Sequence, residues 1–69
     1  MNAESNEMLP VSEKYMITIK EAAAYFNIGI KNLRRIAEDN LGTAAVYCGN
    51  RILIIRPKFE EFILNSSEI

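Results

Sequence analysis

The stretch TIKEAAAYFNIGIKNLRRIAEDN, from Thr18 to Asn40, constrains this chain more than any other part of it. Thr18 and Glu21 have the T-x-x-E spacing of a capping box, in which the threonine hydroxyl accepts from the Glu21 backbone N–H and the glutamate reaches back to the cap. Ile17 and Ala22 stand at the positions of a hydrophobic staple. At about 100° per residue, Ile19, Ala22, Ala23 and Phe26 share one face of the helix that follows, with Lys20, Glu21 and Ala24 on the other. The small alanines let a second helix approach closely. Asn27-Ile28-Gly29 breaks the period: Gly29 either takes a positive φ or caps the next helix, and Ile28 plugs the corner. The second helix is predicted from about Ile30 to Asp39, with Asn40 and Gly42 as its stop. Its buried stripe reads Ile30, Leu33, Ile36 and Ala37. Lys31 and Arg35 stand opposite the stripe, one turn apart, with Asn32 and Arg34 flanking them. Two short helices about a tight turn, the second with a basic and amide-bearing outer face, form a helix-turn-helix that can enter a DNA major groove.

The segments on either side complete an architecture. Tyr15-Met16-Ile17 is a short β-prone run that reads as an edge strand. After the second helix, Ala44 to Cys48 and Arg51 to Ile55 are β-prone runs separated by Gly49-Asn50, a two-residue hairpin connection of type II′. That turn pairs Tyr47 with Ile52 and Ala45 with Ile54 on one face, and Val46 with Leu53 and Cys48 with Arg51 on the other. Ile52 and Ile54 are expected inward, because Arg51 is then outward. Pro57 is expected at the first position of a last helix whose Phe59, Phe62 and Ile63 share a face, with Glu60 and Glu61 toward solvent. The order predicts an α+β fold, a small winged helix: a helix-turn-helix, a two-stranded β-hairpin wing and a C-terminal helix, with a short N-terminal strand. Residues 1–14 read as a mostly flexible arm, 15–65 as the domain and 66–69 as a frayed end.

Charge decides whether this fold suits nucleic acid. The net charge of −1 conceals a segregation. Residues 1–26 carry two lysines and four glutamates; residues 27–58 carry Lys31, Arg34, Arg35, Arg51, Arg56 and Lys58 against Glu38 and Asp39; residues 59–69 carry three glutamates. The local field, rather than the total, sets attraction to phosphates. A single cysteine, Cys48, excludes an internal disulfide framework. The sequence has no histidine, no clustered metal ligands and no glycine-rich phosphate loop, so neither a metal site, a cofactor nor an enzyme is expected. No apolar run approaches the ~20 residues of a membrane span, and the first ten residues lack a signal pattern. These features predict a cytoplasmic, nucleoid-associated protein with no membrane partner.

The TIKEAAAYFNIGIKNLRRIAEDN segment, the GNR turn and the closing IIRPKFEEFI resemble the small excisionases of conjugative transposons. These are winged-helix proteins related to the DNA-binding heads of MerR-type regulators. The resemblance spans roughly Leu9 to Ile63. It implies an architectural role in recombination, in which the protein binds near the ends of an integrated element and organises that DNA for a tyrosine-type integrase without cutting it. It also implies cooperative assembly of several copies. The recognition-helix positions carry over to Lys31, Asn32, Arg34 and Arg35, and the wing positions to Asn50 and Arg51. Leu53, Ile55 and Pro57 depart from the polar or basic residues usual around the second wing strand, and leave an apolar face open to a partner or a second copy.

The same residues have plainer readings. Arg35 pairs with Asp39 at four residues' spacing on a solvated face, Asn32 is a polar helix-start residue, and Arg34, nearest the apolar edge, snorkels across the hairpin or pairs with an acidic side chain. Asn50 and Arg51 serve the turn. Lys20, Arg56 and Lys58 are weaker phosphate candidates; the latter two also balance Glu60 and Glu61. The aromatics Tyr15, Tyr25, Phe26, Tyr47, Phe59 and Phe62 fall at buried-face spacing and are expected in the core. Two rivals stand beside the excisionase reading: a small winged-helix transcription regulator of MerR type, and a protein-interaction adaptor without DNA affinity.

Overall fold

A computed structural model describes residues 9–69 of the chain. After a short 3-10 turn at Val11–Glu13 come β1 (Met16–Thr18), α1 (Ile19–Phe26), α2 (Ile30–Asp39), β2 (Ala45–Cys48), β3 (Arg51–Ile55) and α3 (Arg56–Leu64). The expected order is found, and the α+β winged-helix arrangement with it. The three strands form one antiparallel sheet with β3 in the centre.

Local chemistry explains the boundaries. The Glu21 N–H donates to Thr18 Oγ1 at 3.1 Å, and the Thr18 N–H donates to Glu21 Oε1 at 2.9 Å, so the capping box is closed from both sides. Asn27, with φ 59°, takes the left-handed conformation that ends α1. Gly29 is extended and is the N-cap of α2. Of the two roles open to Gly29, the structure uses the cap. Gly49 has φ 69° while Asn50 has no positive φ, as a II′ turn requires. The register follows: Ala45 faces Ile54, Val46 faces Leu53, Tyr47 faces Ile52 and Cys48 faces Arg51.

Ile17, Ile54 and Ala45 make a buried row across the sheet. Onto it pack Ile19, Ala22 and Ala23 of α1 and Leu33, Ile36 and Ala37 of α2, with Phe59 of α3 fully enclosed. Phe59 lies 5.1 Å from the ring of Phe26 and 5.9 Å from that of Phe62, distances at which aromatic pairs attract beyond their area burial. Fully burying a side chain of this size stabilises by about 1.5–3 kcal/mol, a large share for a chain so short.

Several expectations change. The first strand runs Met16–Thr18, one residue later than its sequence pattern suggests. Arg56, not Pro57, is the first residue of α3; its N–H still bonds Tyr15 O at 2.8 Å, and Pro57 takes the second position, where no intrahelical donor is needed. Ile30 is exposed, because the core ends at Leu33 and the first turn of α2 projects past it. Tyr15, Tyr25 and Tyr47 are exposed rather than core. Tyr15 precedes an edge strand and Tyr47 sits on the outer edge strand near the hairpin tip. Tyr25 packs its edge on Phe26 and donates its hydroxyl to Glu60 Oε2 at 3.0 Å. That bond raises the Tyr25 pKa above its ordinary value.

The first residues also reveal a polar strap. Residues 1–8 of the segment read as an arm lie outside the described residues, but Lys14 is 6% exposed and its Nζ meets Glu21 Oε2 at 2.8 Å. Its carbonyl accepts from Arg56 Nε at 2.7 Å, and Arg56 Nη1 meets Glu60 Oε2 at 2.8 Å. One chain of charge-assisted bonds thus ties the 3-10 turn to the caps of α1 and α3. No helix among the described residues is long and apolar enough to cross a membrane.

Candidate nucleic-acid interface

Three separate segments supply one cleft. Lys20 comes from the first turn of α1, Arg34 and Glu38 from α2, and Tyr47, Asn50 and Arg51 from the hairpin; the space between them is ≈ 310 Å³. Arg34 reaches it because it lies about 100° round α2 from the buried Leu33. Glu38 follows one turn later on the same flank. Asn50 and Arg51 reach it because the II′ turn folds the wing back beside α2. The cleft therefore holds three cations against one carboxylate. Among the described residues the ion pairs are Lys14–Glu21, Arg35–Asp39 and Arg56–Glu60, so Lys20, Arg34 and Arg51 are left to face solvent.

Next to the cleft runs the outer ridge of α2. Lys31 is exposed and enters none of those ion pairs. Arg35 is exposed and held at both ends: it donates to Asn32 Oδ1 one turn back and lies 3.9 Å from Asp39 one turn ahead. At that separation and exposure the carboxylate holds it weakly. Asn32 is half-buried. A bidentate contact to adenine uses both the oxygen and the nitrogen of the amide, and its oxygen is already engaged by Arg35. The two side chains thus act as a unit, with the exposed Arg35 guanidinium holding the Asn32 amide oxygen.

The weaker candidates separate cleanly. Lys20 joins the cleft. Arg56, which the sequence places among the phosphate-facing cations, has its guanidinium committed to Lys14 O and Glu60. Lys58 lines a different and larger cleft, ≈ 700 Å³, between the loop after α2 and α3, where it is accompanied by Glu61 and carries no cationic surplus. Size alone would have chosen that cleft; charge chooses the smaller one. Tyr47 and Glu38 are the residues that sequence reading misses. Their signal is faint: Tyr47 is the inward-row residue nearest the turn, and it is exposed where Ala45 of the same row is buried. Among the described residues no three His, Cys, Asp or Glu side chains cluster as metal ligands.

Comparison with known proteins places the chain in a family. Over residues 1–69 the chain matches the family described as the excisionase from transposon Tn916. A protein of that name from Streptococcus agalactiae is 46% identical over 56 residues, covering 80% of this chain and 84% of the relative. The chain therefore belongs to the Tn916 excisionase family, whose members are recombination directionality factors and not enzymes.

Proposed function

We propose that this chain acts as a sequence-specific duplex-DNA-binding protein at the ends of a mobile element, organising them for a tyrosine-type integrase so that excision is favoured. In this reading α2 lies in the major groove. Lys31 and the Asn32–Arg35 pair face base edges. Lys20 and Arg34 grip phosphates along the groove wall, and Asn50 and Arg51 anchor the wing on the neighbouring backbone or minor groove. Arg56 is a structural residue, and Lys58 lies outside the footprint. The protein would work in the cytoplasm on nucleoid DNA. Half-buried Leu53 and Ile55 on the outer sheet face and Leu64, 84% exposed, supply apolar surface for the integrase or a second copy.

The observation that carries the reading is the gathering of Lys20, Arg34 and Arg51, distant in sequence, into one cleft beside the exposed Lys31–Arg35 ridge. The test is selection of duplexes from a random pool by the full chain, followed by binding measurements across a salt series. A specific reader enriches a defined site and loses affinity steeply with salt, with a log–log slope of about −0.9 for each phosphate contact. A protein-only adaptor enriches nothing and shows no competitor-resistant binding.

A further inference from the structure

Ile30 begins α2 and is 48% exposed, although the same helix buries Leu33, Ile36 and Ala37. The position is neither core nor cap. Among the described residues, neighbours in the chain aside, no atom lies within 4 Å of where a side chain on the preceding Gly29 would begin, so that side of the helix start is open. By helical angle Ile30 lies between the buried Ala37, about 20° away, and Arg34, about 40° away on the other side. It therefore stands where the buried stripe meets the flank that carries Arg34 and Glu38 into the wing cleft, one turn nearer the helix start. Its neighbour Lys31 is exposed. A β-branched apolar residue here gains little from burial and is a mediocre helix former.

In helix-turn-helix readers the N-terminal residues of the second helix meet base edges. Ile30 has no hydrogen-bonding group. The feature of the major-groove edge it can recognise is the C5 methyl of thymine, which is apolar and absent from the other three bases. We propose that Ile30 is a specificity-determining residue that packs on one thymine methyl in the major groove. The proposal rests on the DNA-binding reading above and adds a base identity to it. Lys31 and Arg35 choose bases by hydrogen bonding, whereas Ile30 chooses by the presence of a single methyl group.

The experiment begins with the duplex enriched from a random pool by the full chain. Each thymine of that duplex is replaced in turn by uracil, which removes the C5 methyl and leaves every hydrogen-bonding group in place. Affinities are measured by fluorescence anisotropy for the native chain and for Ile30→Ala. At one position uracil should weaken the native chain about fourfold, the worth of one buried methyl group, and should leave Ile30→Ala unaffected. Ile30→Gln, carried through its own selection, should no longer enrich thymine there. Because Ile30 is half in water, circular dichroism should report both variants folded. Uracil penalties equal in the native chain and Ile30→Ala, or thymine still enriched by Ile30→Gln, would overturn the proposal and leave DNA binding intact. Failure to enrich any duplex would overturn both.

Discussion

Arg34→Ala and Arg56→Ala should fail in opposite ways, although each removes one arginine from the basic middle of the chain. Arg56 donates to Lys14 O at 2.7 Å and to Glu60 Oε2 at 2.8 Å, and its side chain is 17% exposed. Buried hydrogen bonds involving a charged group contribute about 1.5–3 kcal/mol each. Glu60 is more exposed, keeps Tyr25 as a donor and can rehydrate, so its half of the loss lies near or below the bottom of that range. The sum is about 2–4.5 kcal/mol, from a total near 3–10 kcal/mol for 69 residues. At roughly 4–8 °C per kcal/mol in a domain of this size, the melting temperature should drop by about 10–35 °C. Arg34 is exposed and enters no ion pair among the described residues, so its removal should change stability by less than about 0.5 kcal/mol. It should instead reduce the magnitude of the salt slope of DNA binding by about 0.9, one phosphate contact. Calorimetric melting and anisotropy titrations at several salt concentrations, run well below the lower melting temperature, separate the two effects. An early-melting Arg34→Ala with an unchanged slope would refute this division of labour between the two arginines, as would a folded Arg56→Ala with a flattened slope.

Three further outcomes probe neighbouring residues. Lys14→Met should cost about 1–2 kcal/mol by urea titration at pH 7, less than the ~3–5 of a fully buried pair because Glu21 is 31% exposed and keeps its Thr18 bonds. Burial raises the Glu21 pKa, but the Lys14 hydrogen bond and the Thr18 backbone bond outweigh it and leave the carboxyl below its ordinary value. A lowered folded-state pKa gives stability that is present above the unfolded value, about 4.3, and lost as pH falls through the folded one. The gap between the native chain and Lys14→Met should therefore narrow below about pH 4, and a gap that widens there would remove the pair as its cause. Tyr47→Ala should weaken binding to the enriched duplex by about 2- to 12-fold, the range of one neutral hydrogen bond, with no change in salt slope; Tyr47→Phe reports whether the hydroxyl or the ring is responsible. Glu38→Gln removes the carboxylate from the cleft of Lys20, Arg34 and Arg51, and should strengthen binding to random-sequence duplex by about 1.5- to 5-fold, so equal or weaker binding would place Glu38 outside the contact.

What the sequence discloses here is what is encoded over a few residues. The Thr18–Glu21 box and the Gly49-Asn50 turn are local motifs with one favourable geometry each, and both occur as read. The register of β2 against β3 follows from the turn, and with it the inward Ile52 and Ile54. Periodicity, by contrast, says which face a residue occupies but not how far along that face the core extends. Ile30 continues the stripe of Leu33, and Tyr47 shares the row of Ile52 and Ala45, yet both stand exposed because the neighbouring element has already ended. The same incompleteness turns the two residues outward, where the proposed duplex lies.

The cations pose a harder problem, because no local rule distinguishes an arginine left open to the proposed duplex from one that closes the fold. Arg34 and Arg56 each follow an apolar residue, Leu33 and Ile55, and each has a glutamate four residues later, Glu38 and Glu60. By helix spacing both pairs have equal reason to form. Only Arg56–Glu60 does so at short range. The difference is supplied from far along the chain: the Lys14 carbonyl, 42 residues away, fixes Arg56 Nε, and the Tyr25 hydroxyl, 35 residues from Glu60, fixes the carboxylate. With both partners already oriented, the Arg56–Glu60 bond forms at little further entropic cost. Arg34 and Glu38 have no such third parties among the described residues and remain open toward the wing cleft. A candidate DNA-facing cation in this fold is thus defined by what the rest of the described structure fails to offer it. That absence becomes visible only once the strap from Lys14 to Glu60 has been traced.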